Sequence, residues 1–179
     1  FRPYSMAIST EKIQKLREQT MAPFSEVKKA LEEAQGDEQS ALLILRKKGN
    51  IVADKKAARE TKAGIIVPYI HRDGKIGVLL ELRCETDFVA KTQEFQTLAR
   101  ELAMHIAAMN PLFVRPEEVP EEATGRVIEG NLQTYYDEVC LLNQKCVRDE
   151  EKTVKDLISE YIAKIGENIE VGKFVRFEI

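Results

Sequence analysis

The sequence predicts an α+β protein in which a small helical module precedes an antiparallel β-sheet covered by helices. Apolar residues first recur at helical spacing and later alternate with a period of two. An Asp-Gly pair, which is a strong hairpin signal, lies between two of the alternating runs. We therefore expect residues 1–49 to form a three-helix module, residues 50–63 a helical linker and residues 64–179 the α+β core domain.

Three short helices are predicted in the N-terminal module. Ser9 and Thr10 can cap the first, Pro23 suits the first turn of the second, and Asp37 can cap the third. Gly36 and Gly49 are the expected C-terminal stops of the second and third helices. The apolar positions expected to pack together are Ile13, Leu16, Phe24, Val27, Ala30, Leu31, Ala34, Ala41, Leu42 and Leu45. Helices this short are not stable alone, so the module depends on this shared core.

The linker and the chain start carry weaker signals. Residues 50–63 mix basic residues with alanines and acids, which is typical of a solvated helix rather than a basic binding patch. Residues 1–5 have no apolar stretch of the kind found in a signal peptide. We expect a natural start at Met6, with residues 1–5 flexible or foreign to the natural chain.

The core domain is predicted to open with a hairpin. Residues 64–70 form a β-rich run in which Pro68 indicates an edge strand. The next strand has one apolar face and one mixed face, so one side of the sheet should be buried. The apolar face comprises Ile76, Val78, Leu80, Leu82 and Cys84.

Later elements follow from changes in period. Residues 95–107 carry a helical apolar stripe that ends at an Asn-Pro pair, and residues 111–130 are loop-like. Residues 139–142 are a short strand candidate. A Thr-x-x-Asp capping pair opens a helix over residues 153–165, and residues 171–179 alternate as a final strand.

Composition narrows the function classes. The chain has 179 residues, of which 44% are hydrophobic, and it is slightly acidic, with 30 Asp and Glu against 27 Lys and Arg. This balance argues against nucleic acid or an anionic membrane as the main partner, and no apolar run is long enough to span a bilayer. Three scattered cysteines suit neither a disulfide framework nor a zinc cage, so we expect free thiols in a reducing compartment.

Residues 84–90 are the most informative segment of the chain. They follow the alternating strand and precede the long amphipathic helix, so Asp87 and Phe88 fall where the chain leaves the sheet. A carboxylate displayed beside a large apolar ring suits insertion into another molecule. The alternative is a plain strand-to-helix connection, with Thr86 or Asp87 as N-cap and Phe88 folded back onto the core. The pattern alone favours this alternative.

Candidates for catalysis are few. His71 lies at a predicted hairpin end, where a solvated turn residue is expected, and His105 flanks the apolar stripe of a helix at the core edge. The chain has no Gly-rich phosphate loop, nucleophile elbow or HExxH motif. Glu85 and Asp87 offer too few oxygens for a hard cation. We therefore predict a binding protein that is not an enzyme, with no metal site and no cofactor.

Separate segments of the chain also resemble one known family. The matching segments are residues 27–34, 81–90, 104–111, 162–169 and 174–178, together with His71. The sequence is similar to translation elongation factor Ts of bacteria and organelles, the guanine nucleotide exchange factor of elongation factor Tu. The resemblance runs from about Ile8 to the end of the chain. It implies a ubiquitin-associated-like fold for the N-terminal module.

The resemblance also implies a site and a mechanism. Thr86, Asp87, Phe88 and Val89 would enter elongation factor Tu beside its magnesium ion, which bridges phosphate oxygens of the nucleotide. Phe88 would wedge into an apolar gap between helices. Asp87 would reorganise polar contacts that support the magnesium ligands, so that Mg²⁺ is displaced and GDP leaves. His71 would be a further contact, and the N-terminal module would bind the nucleotide domain of the partner.

Two segments depart from the family pattern. Residues 20–25 lack the usual Gly-rich turn, and residues 117–138 are short, with room for one core copy and no coiled coil. Some compact members pair as homodimers, so the resemblance leaves open whether this chain dimerises. We expect the bacterial cytoplasm as the location, with an organelle matrix as the alternative.

Two other functions compete with nucleotide exchange. A stand-alone adaptor would use the three-helix module to bind a ubiquitin-like or helical partner, and the N-terminal pattern alone allows this. An adaptor has no need for the junction at Asp87 and Phe88. A small hydrolase using His71 and Asp87 would lack a nucleophile and an oxyanion loop.

Overall fold

The computed structural model of the protein describes residues 8–124 and 131–179. The predictions for residues 1–5 and for a start at Met6 lie outside these ranges. So does part of the short segment noted above, namely residues 125–130. In the part of the chain that is described, no helix is long and apolar enough to cross a membrane.

The chain divides into two compact units. The first contains the residues up to Ala58 together with residues 159–167. The second contains residues 59–158 and 168–179. The predicted limits of the module and of the linker stay predictions.

The described residues form eight α-helices, one 3₁₀-helix and five strands. The α-helices are Thr10–Thr20 (α1), Phe24–Glu33 (α2), Glu38–Lys56 (α3), Asp87–Ala90 (α4), Gln93–Met109 (α5), Glu121–Thr124 (α6), Leu132–Val139 (α7) and Val154–Ile165 (α8). The strands are Ala63–Ile70 (β1), Ile76–Cys84 (β2), Lys145–Cys146 (β3), Asp149–Thr153 (β4) and Ile169–Glu178 (β5), and the 3₁₀-helix is Pro116–Glu118. Helices followed by an antiparallel sheet with helices confirm the predicted α+β class.

Helices α1 to α3 pack together in the first unit. The Ser9 hydroxyl accepts a hydrogen bond from the Lys12 N–H at 3.2 Å, and the Asp37 carboxylate accepts one from the Ser40 N–H at 2.8 Å. Ser9, one of the two residues predicted to cap α1, is therefore its N-cap, and the predicted cap at Asp37 is confirmed. The shared core consists of Ile13, Leu16, Val27, Ala30, Leu31, Ala41, Leu42 and Leu45. Burial of these side chains is what holds such short helices together.

The predicted helix stop at Gly49 is wrong. Helix α3 continues through Gly49 to Lys56, and Ala53 is buried in this extension. A glycine inside a helix costs only about 1 kcal/mol relative to alanine, so continued packing and good helix formers outweigh it. Lys55 and Lys56 in the last turn suit the negative end of the helix dipole.

The helical periodicity predicts Phe24 in the core of the first unit, but the structure does not place it there. It is the first residue of α2 and is 48% exposed, whereas Val27, Ala30 and Leu31 are buried. Side chains on a helix lean toward its N-terminus, so a residue at the first position points off the end of the packed face.

The predicted hairpin and edge strand are both confirmed. Strand β2 lies between β1 and β5, and both pairings are antiparallel. At the turn, the His71 N–H donates to the Ile76 carbonyl at 2.9 Å, and the Gly74 N–H donates to the His71 carbonyl at 2.8 Å. Gly74 has φ 72°, a conformation that glycine adopts without strain.

One face of the sheet carries the core of the second unit. Val78, Leu80, Leu82 and Cys84 of β2 are buried, as their alternation predicted. Helix α5 packs against β1 and β2 with its own apolar stripe. The buried residues of α5 are Phe95, Leu98, Ala99, Leu102, Ala103, His105, Ile106 and Ala107. The helix ends at Asn110, which has φ 48°, so the predicted stop is also confirmed.

The segment from residue 131 to residue 153 differs from prediction. Helix α7 runs to Val139, and Cys140 forms a single parallel bridge with Phe113, so the predicted strand over residues 139–142 is wrong. An isolated bridge of this kind gives too little pairing for a strand to extend. Strands β3 and β4 form a small hairpin that periodicity missed, because β3 has only two residues. The capping pair that opens α8 is confirmed, since the Asp156 carboxylate accepts from both the N–H and the hydroxyl of Thr153.

Candidate partner-binding apex

The chain leaves the central strand of the sheet at a sharp change in burial. Cys84, the last residue of β2, is fully buried, whereas Thr86, Asp87 and Phe88 are exposed. Helix α4 begins directly at Asp87 and lasts one turn. Residues 86–89 are called the apex below.

Hydrogen bonds hold the backbone of the apex. The Thr86 hydroxyl accepts from the Val89 N–H at 3.4 Å, and the Thr86 carbonyl accepts from the Ala90 N–H at 3.2 Å. The Cys84 thiol donates to the same carbonyl at 3.2 Å. Thr86 is therefore the N-cap of α4, one of the two caps that the sequence allowed. The turn is organised before any partner arrives.

The packing of α4 directs Phe88 outward. Val89 and Ala90 are buried, and α4 contacts β1 and β2. In a helix of one turn, the residues that face the sheet leave their neighbours on the opposite side. The Phe88 side chain is 81% exposed. The alternative in which Phe88 folds back onto the core is not adopted.

An exposed phenylalanine is unfavourable in water. Burying such a side chain is worth roughly 1.5–3 kcal/mol relative to leaving it exposed. Asp87, the preceding residue, is also exposed, so a negative charge stands beside the apolar ring. The apex can therefore insert a ring into an apolar gap while its carboxylate acts on nearby polar groups.

Glu85 and Asn168 support the apex, and sequence reasoning missed their pairing. The Glu85 carboxylate oxygen Oε1 accepts from the Asn168 N–H at 2.6 Å. The same oxygen lies 3.5 Å from Nη1 of Arg59. The two residues are 83 positions apart, so no local spacing could have predicted the contact.

The structure does not bring His71 to the apex. His71 follows β1 at the hairpin turn and is exposed, whereas the apex follows the other end of β2. The paired strands run from Ala63 opposite Cys84 to Ile70 opposite Gly77, a length of about 24 Å over seven residue steps. The His71 ring lies 3.3 Å from the Tyr69 hydroxyl through Nδ1. Its role as a partner contact stays a prediction.

His105 is a core residue, whereas the sequence suggested a position at the core edge. It is buried, and its Nε2 lies 3.0 Å from Oε1 of Gln144. The Gln144 amide nitrogen donates to the carbonyl of Glu138 at 2.6 Å, so its oxygen is left to accept from His105. Burial lowers the pKa of His105 below its ordinary value, and the hydrogen bond with Gln144 opposes this shift.

The other potentially reactive groups are structural. All three cysteines are buried free thiols, as predicted. Burial raises the pKa of the Cys140 thiol to about 11, and the carboxylates of Glu118, Glu117 and Asp137 act in the same direction. A thiol held protonated in this way is a poor nucleophile. Within residues 8–124 and 131–179, no group of three or more His, Cys, Asp or Glu side chains could hold a metal ion.

Fold and apex together describe a helical module joined to an α+β domain that displays an aromatic–acid pair. The family model described as Elongation factor TS matches residues 5–126 and 120–179 of the chain. The chain therefore belongs to the elongation factor Ts family, whose members are translation elongation factors of protein biosynthesis. The resemblance drawn from the sequence is confirmed.

Curated relatives support this membership along the whole chain. The Elongation factor Ts of Thermotoga petrophila is 51% identical, over 97% of this chain and 97% of the relative. That of Fervidobacterium nodosum is 48% identical, over 97% of this chain and 99% of the relative. That of Thermodesulfovibrio yellowstonii is 46% identical, over 97% of each. The alignments therefore span nearly the whole length of this chain.

Proposed function

We propose that this chain is the guanine nucleotide exchange factor of elongation factor Tu and acts in the bacterial cytoplasm. It binds the GDP-bound GTPase and promotes GDP release by displacing Mg²⁺ and disturbing the nucleotide site. The observation that carries this proposal is the exposed Phe88 ring, 81% accessible on a hydrogen-bonded turn beside Asp87. Membership in the elongation factor Ts family supports it.

The chemistry of the partner explains what the apex has to do. A GTPase holds its nucleotide through backbone amides, a lysine and a magnesium ion that bridges phosphate oxygens. Release requires these contacts to weaken while the emptied protein stays folded. Phe88 fills an apolar gap that opens beside the magnesium site, and Asp87 competes for the polar groups that orient the magnesium ligands.

The magnitudes are compatible with this mechanism. Burial of one phenylalanine ring in the partner is worth roughly 1.5–3 kcal/mol. Coupling between two ligands of one protein is typically about 1–3 kcal/mol. One ring that is buried only in the GDP-free form could therefore supply most of the coupling. The chain carries out no bond chemistry in this scheme, so it acts without a catalytic acid, base or cofactor.

The remaining contacts have separate tasks. Thr86 and Val89 hold the backbone that carries Phe88, through the cap described above. His71 makes a second contact with the partner from the far end of the hairpin. The N-terminal module binds the nucleotide domain and supplies affinity that does not depend on the apex.

Thermodynamic linkage provides the test. If the chain weakens GDP binding to elongation factor Tu, then GDP must weaken binding of the chain by the same factor. Titration calorimetry with nucleotide-free elongation factor Tu should give tight binding, and excess GDP with Mg²⁺ should weaken it. The chain alone should bind neither GDP nor GTP. Equal affinity in both conditions would rule out exchange, because a ligand that does not discriminate between states cannot shift them.

A further inference from the structure

Glu85 lies in the connection between β2 and α4, and its side chain contacts two residues that are distant in the sequence. Its side chain is 23% exposed, and Oε1 accepts from the Asn168 N–H at 2.6 Å while lying 3.5 Å from Nη1 of Arg59. A carboxylate bonded in this way forms charge-assisted hydrogen bonds, which are about twice as strong as neutral ones. Glu85 directly precedes the apex, so these bonds fix the point at which the apex begins.

Asn168 completes the cluster. It is 2% exposed, and its side-chain Nδ2 donates to the Arg59 carbonyl at 2.9 Å. Arg59 and Asn168 are also the two positions at which the chain enters the second unit, after residues 58 and 167. The cluster therefore joins both chain entries to the residue before the apex, all within the second unit.

We propose that Glu85 is a positioning residue that sets the orientation of the apex during nucleotide exchange. The inference rests on the proposed function. The Thr86 cap and the buried Val89 and Ala90 fix α4 internally and against the sheet. The Glu85 carboxylate ties the residue before the apex to Asn168 and Arg59. Without it, the start of the apex loses both of these contacts.

The test compares variants in a GDP-release assay. Elongation factor Tu loaded with fluorescent GDP is mixed with increasing amounts of the chain, which gives a maximal release rate and a half-saturating concentration. Glu85→Ala should lower the maximal rate on the order of tenfold, within the range that contacting residues show when they act together. The half-saturating concentration should change much less, since contacts outside the apex remain.

Glu170→Ala is the matched control. The Glu170 carboxylate accepts from the Thr61 hydroxyl at 2.6 Å, so it also ties the segment after Arg59 to the sheet, but it does not touch the apex. Its maximal rate should equal that of the unsubstituted chain. A loss as large as that of Glu85→Ala would mean that general loosening explains the effect, and would overturn the proposal.

A double-mutant cycle separates positioning from stability. If Glu85 acts mainly by orienting Phe88, then Glu85→Ala should have a much smaller effect on the rate in a Phe88→Ala background, where only Asp87 is left to be positioned. Multiplying effects would overturn the proposal, because they mean that Glu85 acts independently of the ring. Glu85→Gln retains an accepting oxygen and should give a rate between those of Glu85→Ala and the original chain.

The outcomes also distinguish failure of the positioning role of Glu85 from failure of the proposed exchange function. If Glu85→Ala fails to fold in a thermal melt, the same cycle is run with Glu85→Gln, and additivity there overturns the proposal. If Phe88→Ala slows release while Glu85→Ala and Glu85→Gln do not, the positioning role is wrong and the proposed function stands. If Phe88→Ala itself releases GDP at the original rate, the proposed function fails first.

Discussion

The two consecutive helices after β2, α4 and α5, begin in the same way, but α4 exposes its phenylalanine and α5 buries its own. Thr86 caps α4, and Thr92 caps α5, each by accepting from the N–H three residues on. Phe88 in α4 is 81% exposed, whereas Phe95 in α5 is fully buried. The local chemistry is alike, so the backbone signals do not decide which ring is buried.

The difference lies in length and in what each helix faces. Helix α5 has 17 residues and lays a continuous apolar stripe across the sheet. Helix α4 has 4 residues and buries only Val89 and Ala90, which leaves its aromatic residue on the free side. A buried ring stabilises the fold, and an exposed ring is available to a partner. The comparison therefore predicts that stability and exchange depend on different members of the pair.

Truncation of the buried ring should have the largest effect on the fold. Phe95→Ala should lower the free energy of unfolding by about 3–5 kcal/mol, because it removes buried contacts and leaves a cavity. Urea denaturation followed by circular dichroism measures this. A loss below about 1 kcal/mol would show that the site collapses or that Phe95 contributes little, and the contrast with Phe88 would disappear.

Substitutions of the two N-cap residues should have smaller effects than Phe95→Ala and should differ from each other in the same way as the two rings. Thr92→Ala should cost about 1 kcal/mol of unfolding free energy, since Thr92 caps a long helix and its hydroxyl also donates to the Val89 carbonyl at 2.8 Å. Thr86→Ala should cost less stability and more exchange activity, because α4 is one turn. The same denaturation and GDP-release assays compare them. The reverse order would contradict the assignment of stability to α5 and exchange to α4.

Charge at the apex should matter less than the ring. Asp87→Asn keeps the shape and part of the hydrogen bonding, so we expect the maximal rate of GDP release to fall by a factor of about five or less, the size of a single exposed electrostatic contact. Phe88→Ala should reduce it further. Equal rates for Asp87→Asn and the original chain would exclude a role for the carboxylate charge.

Acid should lower the stability of the protein through His105, a buried residue of α5. Its pKa in the folded protein lies below the ordinary value of 6.5 because of burial, so the unfolded chain binds the proton more readily. Stability from this residue is present above pH 6.5 and is lost as the pH falls toward the lower folded pKa. Melting temperatures at about pH 7.5 and about pH 5.5 should reveal the loss. His105→Asn should reduce this pH dependence; a pH dependence in His105→Asn equal to that of the original chain would contradict the prediction.

Much of the architecture could be predicted from local pattern. The caps at Ser9, Asp37 and Thr153, and the edge position of Pro68, all follow from neighbouring residues and were confirmed. The helix stop at Gly49 failed because packing beyond it outweighs the cost of one glycine. Such competition between local and tertiary terms is not visible in a single sequence.

The candidate site could be predicted only in part, because some of its contacts join neighbouring residues and others join residues far apart in the sequence. Thr86, Asp87, Phe88 and Val89 are adjacent, so their grouping came from the sequence, and the exposure of Phe88 came only from the structure. The bond between Glu85 and Asn168 depends on the pairing of β2 with β5, which brings distant residues together. The roles of the apex residues and of His71 in binding a partner stay predictions.

One measurement tests the central claim directly. Maximal GDP release from elongation factor Tu is recorded for the original chain, Phe88→Ala and Phe177→Ala, a control that truncates another exposed phenylalanine. The free energies of unfolding of all three proteins should agree within about 0.5 kcal/mol, which is the usual spread of surface substitutions. The account predicts that Phe88→Ala alone loses roughly 1.5–3 kcal/mol of coupling, or about 10-fold to 150-fold in rate. Unchanged release by Phe88→Ala, or an equal loss in Phe177→Ala, would contradict it.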